Sequence, residues 1–394
     1  MDIDRSQLAR LTAGKSVVCT ALRWIPFFLP TLAIAFASST AELTTILGIG
    51  EMAALVTLLA GRHLDAGHER KIMTGALGLV ALSSLLALVG TITSFAAGFL
   101  MLVIGVSLYT VGGHTYLSRR VAFDRRGQAI GLFETSWASA LLIGAPLIAL
   151  LINGVGWRGP FVALAVLSIV MAVVVARTPD TATVSKDATA PVVKQPLTAA
   201  AWRVIFASAA TGVAGLTTIV IAGTWLDDRL GVSTGGVGLV AMAFGAAELA
   251  SSVASAVSAD RLGKVRSTRA MLCLVLVGLA IMTQAGTSLV IGVIGLICFF
   301  LGFEFAIVTS FGIISEVMPQ ARGRALAAGN AVGTMTRGAS TIASGRLYKE
   351  FGINGPITLS VTGAVIAIML LAVHERSAAG RDMVAKEQRD FPAA

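Results

Sequence analysis

Two short loop patterns each recur once in the chain, at almost the same spacing. Residues 61–71 (GRHLDAGHERK) and 256–266 (AVSADRLGKVR) start 195 positions apart, and each places acidic and basic side chains between two long apolar runs. The tetrapeptides at 126–129 (RGQA) and 322–325 (RGRA) recur at a distance of 196. Two independent matches at nearly one distance indicate an internal duplication. Because the loops separate apolar runs, the duplicated unit is predicted to be a membrane domain.

The composition excludes a soluble globular protein. Hydrophobic residues make up 56% of the chain, charged residues only 13%, and the mean hydropathy is +0.84. A soluble protein of this length would need more polar surface than this composition supplies. Many apolar runs also approach the roughly 20 residues that cross about 30 Å of hydrocarbon. We therefore predict a chain that crosses a lipid bilayer many times.

The net charge of +9 does not indicate a nucleic-acid partner, because the basic residues are distributed by membrane side. With the N-terminus assigned to the cytoplasm, most basic residues fall in cytoplasmic segments, and few lie near the outer side: Arg158, Arg229, Arg346 and Lys349. Such a bias orients helices during insertion. We therefore predict that both termini are cytoplasmic and that the basicity reflects topology.

The apolar runs predict an all-α membrane protein with twelve transmembrane helices in two pseudo-symmetric six-helix bundles. The predicted spans are 14–36, 43–61, 72–92, 96–117, 128–152, 158–177, 201–226, 235–258, 268–286, 288–316, 324–346 and 353–373. Residues 1–177 form the first bundle and residues 200–374 the second. The hydrophilic interval 178–199 is predicted to be a flexible cytoplasmic linker, and 375–394 a polar, frayed cytoplasmic tail.

The duplicated loop resembles the signature of the major facilitator superfamily, G-x-x-x-D-(R/K)-x-G-(R/K)-(R/K), between spans 2 and 3. The matching residues are Gly61, Asp65, Arg70 and Lys71 in the first half and Asp260, Arg261, Gly263 and Lys264 in the second. The resemblance implies a monomeric twelve-helix transporter of a bacterial inner (cytoplasmic) membrane, closest to the drug and metabolite proton antiporters. It also implies a small-molecule substrate, protons as the coupling ion and no cofactor.

The loop has a physical role that its residue types explain. Asp65 or Asp260 at a helix end can pair with nearby arginines and with the positive N-terminus of a neighbouring helix. Such links would hold the cytoplasmic ends of two helices together in one state and break in the other. We therefore interpret both loops as gating elements.

Six charged residues lie inside the predicted spans and away from the span ends, where each costs about 2.5–3.5 kcal/mol on insertion scales. Four lie deep, because a rise of about 1.5 Å per residue puts Glu51 and Glu248 about 18–21 Å from the inner face. The deep set is Glu51, Glu248, Glu304 and Arg337, and the shallower pair is Arg23 and Glu134. We interpret them as proton-coupling or cavity residues. Arg23 is equally well explained as a side chain that reaches the headgroups, and Glu134 as a gate or supporting partner.

Other polar residues in the spans extend this set. Asn330, Thr334 and Arg337 recur at helical spacing and continue in Thr341 and Ser344, a stripe predicted to face a polar cavity. His114 could relay protons, although a packed histidine bonded to a carbonyl is the favoured interpretation.

Several functions remain open at this point. Excess intramembrane acid favours a proton-coupled exporter of cationic or neutral amphipathic compounds, working by alternating access. The buried arginines instead favour uptake or exchange of a small organic anion. A non-transporting membrane receptor is a weaker alternative. We expect no enzyme and no metal site, because the four histidines form no catalytic or zinc-like constellation.

Overall fold

The computed structural model describes residues 5–56, 67–178, 196–318 and 321–390, and within these ranges the secondary structure is helical. The first half contains α1 (Arg5–Ala35), α2 (Thr40–Ala53), α3 (Glu69–Ala87), α4 (Ile92–Arg120), α5 (Phe123–Ser139, continued by Ala140–Gly144 and Ala145–Val155) and α6 (Arg158–Ala176). The second half contains α7 (Ala199–Leu230), α8 (Thr234–Leu262), α9 (Lys264–Thr283), α10 (Leu289–Val317), α11 (Arg322–Phe351) and α12 (Asn354–Asp390). The predicted all-α architecture with twelve helices is confirmed.

Ten of these helices are long and apolar enough to cross a membrane, counting only the described residues. The other two are α2 and α11. For α2, 14 residues are assigned to the α-helix, and the predicted span continues into residues outside the described ranges. The 30 residues of α11 are long enough to span, but they include the predicted polar stripe. Its polarity therefore marks a helix that faces other helices rather than lipid.

Two helices of the first half are interrupted at prolines. A 3₁₀ turn at Ile25–Phe28 breaks α1 directly beyond Arg23, and Pro26 occupies its start. A π-helical turn at Ala140–Gly144 interrupts α5 just before Pro146. Proline lacks the amide hydrogen that a continuous helix needs, so the backbone adjusts locally. The first break leaves the guanidinium of Arg23 at the end of a straight helix inside the protein.

Among the described residues, the two halves meet along four helix pairs: α2 against α11, α5 against α8, α1 against α7, and α1 against α8. Glycine allows the closest approach between α2 and α11. A Cβ at Gly48 would lie 2.4 Å from the carbonyl oxygen of Gly338, and one at Gly338 would lie 2.6 Å from that of Gly48. The backbones touch directly because neither residue carries a side chain.

These contacts lie toward one end of the molecule. We call the membrane face where α1 begins and α12 ends the terminus side, and the opposite face the far side. On the far side, a Cβ at Gly345 of α11 would clash with Thr44 of α2, at 1.8 Å from its hydroxyl oxygen. Near the same end, a Cβ at Gly238 of α8 would lie 2.7 Å from the Cβ of Ala149 on α5. The halves are therefore closed on the far side.

The C-terminal segment differs from its prediction as a frayed tail. Helix α12 continues to Asp390, because this polar stretch is rich in Ala, Glu, Lys, Arg and Gln, which favour helix. Glu375, the first residue of the predicted tail, accepts hydrogen bonds from Arg266 and Arg269 of α9, at 2.9 and 2.7 Å. At the predicted linker, Thr178 is buried and its carbonyl oxygen accepts from Arg70 at 2.7 Å, whereas 179–195 lie outside the described residues.

Candidate functional site

An ion pair between the halves lies at the centre of the site. The guanidinium of Arg23 on α1 contacts Glu248 on α8, with 2.5 Å between Nη1 and Oε2. The same nitrogen donates to the carbonyl oxygen of Trp137 on α5 at 2.7 Å. Arg23 is 16% exposed and Glu248 is 10% exposed. The interpretation of Arg23 as a side chain reaching the headgroups is therefore wrong, since a carboxylate of the other half holds it inside the protein.

Glu304 on α10 lies beside this pair. Electrostatic interactions connect its carboxylate to Arg23 and Glu248, and its side chain is half-buried. Among the described residues, however, no hydrogen bond or ion pair engages it. A carboxylate inside the membrane without a direct counter-charge is costly, and Glu304 is therefore a functional candidate.

A second ion pair between the halves joins α2 to α11. Arg337 lies 3.5 Å from Glu51, between Nε and Oε2, with 31% and 27% of the two side chains exposed. Arg337 also donates from Nη2 to the hydroxyl of Thr334 at 3.0 Å. Each of these two predicted deep residues is thus the partner of the other.

A third cluster lies entirely within the first half. Oε1 of Glu134 on α5 is 2.5 Å from Nζ of Lys15 on α1 and 2.5 Å from Nε2 of His114 on α4. Lys15 is fully buried, with Nζ 4.3 Å from the ring centroid of Phe133. His114 and Glu134 are 40% and 35% exposed. The favoured interpretation of His114 as bonded to a carbonyl is wrong, because its partner is a carboxylate.

The sequence analysis missed Lys15 as a member of the site. It lies at the start of the first predicted span and was not among the six charged residues considered there. A detectable signal exists, because Lys15, Cys19 and Arg23 follow one another at four-residue steps and share one face of α1. The carbonyl of Trp137 was not predictable, since only the fold brings α5 beside Arg23.

The predicted polar stripe of α11 divides into two parts. Asn330 is exposed and Arg337 is partly exposed, which agrees with the prediction of a polar cavity. Thr334, Thr341 and Ser344 are buried instead. The hydroxyl of Ser344 donates to the carbonyl oxygen of Thr217 on α7 at 2.5 Å. The stripe therefore includes helix-packing contacts, for which hydroxyl groups are well suited within a membrane.

The loop residues of the second half form a compact network. Nζ of Lys264 lies 2.5 Å from Asp260 and 2.5 Å from Glu316 at the end of α10. The partner of Asp260 is thus a lysine four residues on, whereas an arginine was predicted. Gly263 adopts a φ of +82°, the left-handed region that glycine favours, and Arg261 is exposed.

The loop of the first half is described only from its end. Gly61 and Asp65 lie outside the described residues. Lys71 is exposed, and Arg70 donates to the carbonyl oxygen of Thr178 at the end of α6. Glu69 does not match the signature, but it connects the described part of this loop to α4. Its side chain is 1% exposed and lies 2.6 Å from Arg119 and 3.6 Å from Arg120.

The described residues contain no group of three or more histidine, cysteine or acidic side chains that could hold a metal ion. The arrangement offers instead paired and unpaired charges in a cleft between two halves. Such groups can bind a charged solute and can take up or release protons.

Comparison with known proteins places the chain in a family. Residues 11–341 match the model of the Major Facilitator Superfamily. No curated protein sequence matches the chain.

Solved structures share the fold at low sequence identity. A D-xylose–proton symporter is similar with a TM-score of 0.71 at 15% identity, over 93% of this chain and 96% of that one. A bacterial homolog of the human lysosomal transporter Spinster, inward-facing and occupied, gives 0.74 at 14% identity, over 94% and 96%. A bacterial homologue of the iron transporter ferroportin, inward-facing, gives 0.69 at 14% identity, over 94% and 98%. The chain therefore belongs to the major facilitator superfamily and is a multi-pass membrane transporter rather than an enzyme.

Proposed function

We propose that this transporter is proton-coupled, works by alternating access and exports cationic or neutral amphipathic small compounds. The observation that carries the proposal is the charge balance of the cleft. Three intramembrane carboxylates have basic partners, in the pairs Glu51–Arg337, Glu134–Lys15 and Glu248–Arg23. Among the described residues, Glu304 alone of the four has no ion-pair partner. It is the group that we assign to carry a proton or to bind a cationic substrate.

The alternative of an organic-anion transporter is less well supported by the same pairs. A guanidinium can clamp a carboxylate substrate only when its donors are free. Arg23 is already bound to Glu248, and Arg337 lies beside Glu51. An anionic substrate would therefore bring a second negative charge next to Glu248 or Glu51.

The positive-inside bias supports placing both termini in the cytoplasm. We further propose that the chain is a monomer in a bacterial inner membrane, as the family resemblance implies. The terminus side is then the cytoplasmic side, and the cleft faces inward. In this proposal the two signature loops act as gates. The network around Lys264 stabilises the inward-open arrangement, and Asp65 and Asp260 contribute charges that are exchanged during switching.

The proposal is tested by transport into proteoliposomes. A pH gradient with an acidic lumen should drive accumulation of radiolabelled tetraphenylphosphonium, because protons leave the lumen as the cation enters. Nigericin, which collapses the gradient, should abolish accumulation. Glu304→Gln should lower the gradient-driven rate by about tenfold or more, a barrier change of about 1.4 kcal/mol.

The matched control is Glu350→Gln, the same chemical change at an exposed position at the far-side end of α11. It should transport at the wild-type rate. Gradient-driven transport that is unchanged in Glu304→Gln would refute the assignment. Uptake of labelled benzoate that is lost in Arg337→Gln would establish the organic-anion alternative instead.

A further inference from the structure

The pair formed by Arg23 and Glu248 lies beside a second carboxylate and several aromatic rings. Helices α8 and α10 run in the same direction, and Phe244 stacks on Phe300 with ring centroids 4.4 Å apart and an interplanar angle of 19°. Glu248 and Glu304 each follow one of these rings by four residues, about one helical turn. The stacked rings therefore place the two carboxylates at the same level on neighbouring helices.

An aromatic face completes the arrangement on the first half. The guanidinium carbon of Arg23 lies 5.5 Å from the ring centroid of Trp137, and the carbonyl oxygen of Trp137 accepts from the same guanidinium. Cations bind favourably over indole rings within about 6 Å. Two carboxylates, an indole face and a carbonyl oxygen thus surround one position, and a side chain of the protein occupies it.

We propose that Arg23 is a tethered counter-cation that competes with the transported substrate for this position. The substrate class is a monovalent organic cation with an apolar aromatic body, which displaces the guanidinium from Glu248 and takes its place between Glu248, Glu304 and Trp137. The guanidinium returns when the substrate leaves, so that the carboxylates do not remain uncompensated during the return step. This inference rests on the proposed function only in taking a cation as the cargo.

The charges that face this position come from each helix packed around it. Helix α1 contributes Arg23 and, two turns away, Lys15, whose Nζ is 5.9 Å from the Trp137 ring. Helix α5 contributes Glu134, α8 contributes Glu248 and α10 contributes Glu304. Glu134 is held by Lys15 and His114. Glu248 and Glu304 are therefore the carboxylates that an incoming cation can engage once Arg23 moves.

The test is equilibrium binding of labelled tetraphenylphosphonium to purified protein in detergent, without any gradient. Arg23→Gln removes the competitor and should tighten the dissociation constant by about tenfold. Arg23→Lys keeps a tethered cation and should remain within about threefold of wild type. Glu304→Gln and Trp137→Leu should each weaken binding. The double variant Arg23→Gln/Glu248→Gln should lose the gain of the single variant.

The control is Arg229→Gln, the same chemical change at an exposed arginine at the far-side end of α7, which should leave the dissociation constant unchanged within about threefold. The inference is overturned if Arg23→Gln binds no more tightly than wild type, or if no variant binds the probe. Binding that follows the expected pattern without gradient-driven transport would uphold this site and reject the proposed proton coupling. If the protein instead transports another compound in a proton-coupled manner and Arg23→Gln does not change its binding, the proton coupling is upheld and this site is rejected.

Discussion

The two halves join equivalent helices with ion pairs of opposite polarity. In the first half the start of α3 carries the acid, and Glu69 lies 2.6 Å from Arg119 at the end of α4. In the second half the start of α9 carries the base, and Lys264 lies 2.5 Å from Glu316 at the end of α10. The offsets from first to second half are 195 for Glu69 and 197 for Arg119. The link was retained while its charges were exchanged.

Glycine packing supports this equivalence independently. A Cβ at Gly105 of α4 would lie 2.9 Å from the carbonyl oxygen of Ala76, and one at Gly302 of α10 would lie 2.5 Å from that of Met271. These residues are related by the same two offsets, 197 and 195. The duplication therefore preserved how the helices approach one another.

The cleft differs from this conserved scaffold, because positions that are equivalent in the two halves do not both carry a charge there. Glu134 lies eight residues after the arginine of the RGQA tetrapeptide, and Asn330 lies eight residues after that of RGRA. The first half neutralises Glu134 with its own Lys15 and His114. Glu248 of the second half instead depends on Arg23 of the first. Scaffold positions are thus conserved by the duplication, whereas charged cavity positions differentiate the two halves.

The largest expected effect comes from reversing the loop charges in one half. Glu69→Lys would place three cations together where Glu69 is 1% exposed, and we expect the free energy of unfolding to fall by about 3–5 kcal/mol. Lys264→Glu would likewise bring three carboxylates together, but it should cost only about 1 kcal/mol, because Asp260 and Glu316 are 75% and 55% exposed and water screens them. Unfolding in mixed micelles measures both.

The rescue variant for this comparison is Glu69→Lys/Arg119→Glu, which gives the first half the polarity of the second. It should recover part of the lost stability, with Arg120 still positioned beside the pair. A double variant no more stable than Glu69→Lys alone would show that the halves do not share an interchangeable link.

A smaller effect is expected from substituting the glycines at which two helices pack closely against each other. A Cβ at Gly302 lies closer to a carbonyl oxygen than a Cβ at Gly105 does. Gly302→Ala should therefore lower the free energy of unfolding by about 1–3 kcal/mol, and Gly105→Ala by less. Gly75→Ala is the control, because nothing lies within 4 Å of a Cβ at Gly75. Thermal unfolding in detergent gives the order. Equal midpoints for Gly302→Ala and Gly75→Ala would contradict the packing argument.

The sequence predicted the helices and the deep charges but not how the charges pair. Hydrophobic length and the repeated loops are local signals, and they were sufficient for the order of spans. The pairing of Arg23 with Glu248 joins residues 225 positions apart and depends on helix rotation, which the apolar pattern leaves open. Lys15 was overlooked because a lysine near a span end is ordinarily explained by the headgroup region.

The smallest effect concerns the weaker of the two ion pairs between the halves. Glu51 and Arg337 are 3.5 Å apart and partly exposed, whereas Glu248 and Arg23 are 2.5 Å apart and more buried. Water in the cleft screens the first pair more strongly, so Glu51→Gln should lower the free energy of unfolding by about 0–1 kcal/mol. Glu248→Gln should cost more, because it leaves a guanidinium without its carboxylate partner. Unfolding of both variants in one detergent decides the order. Equal losses of stability in Glu51→Gln and Glu248→Gln would mean that both ion pairs stabilise the contact between the halves equally. The difference in distance and burial between the two pairs would then have no effect on stability.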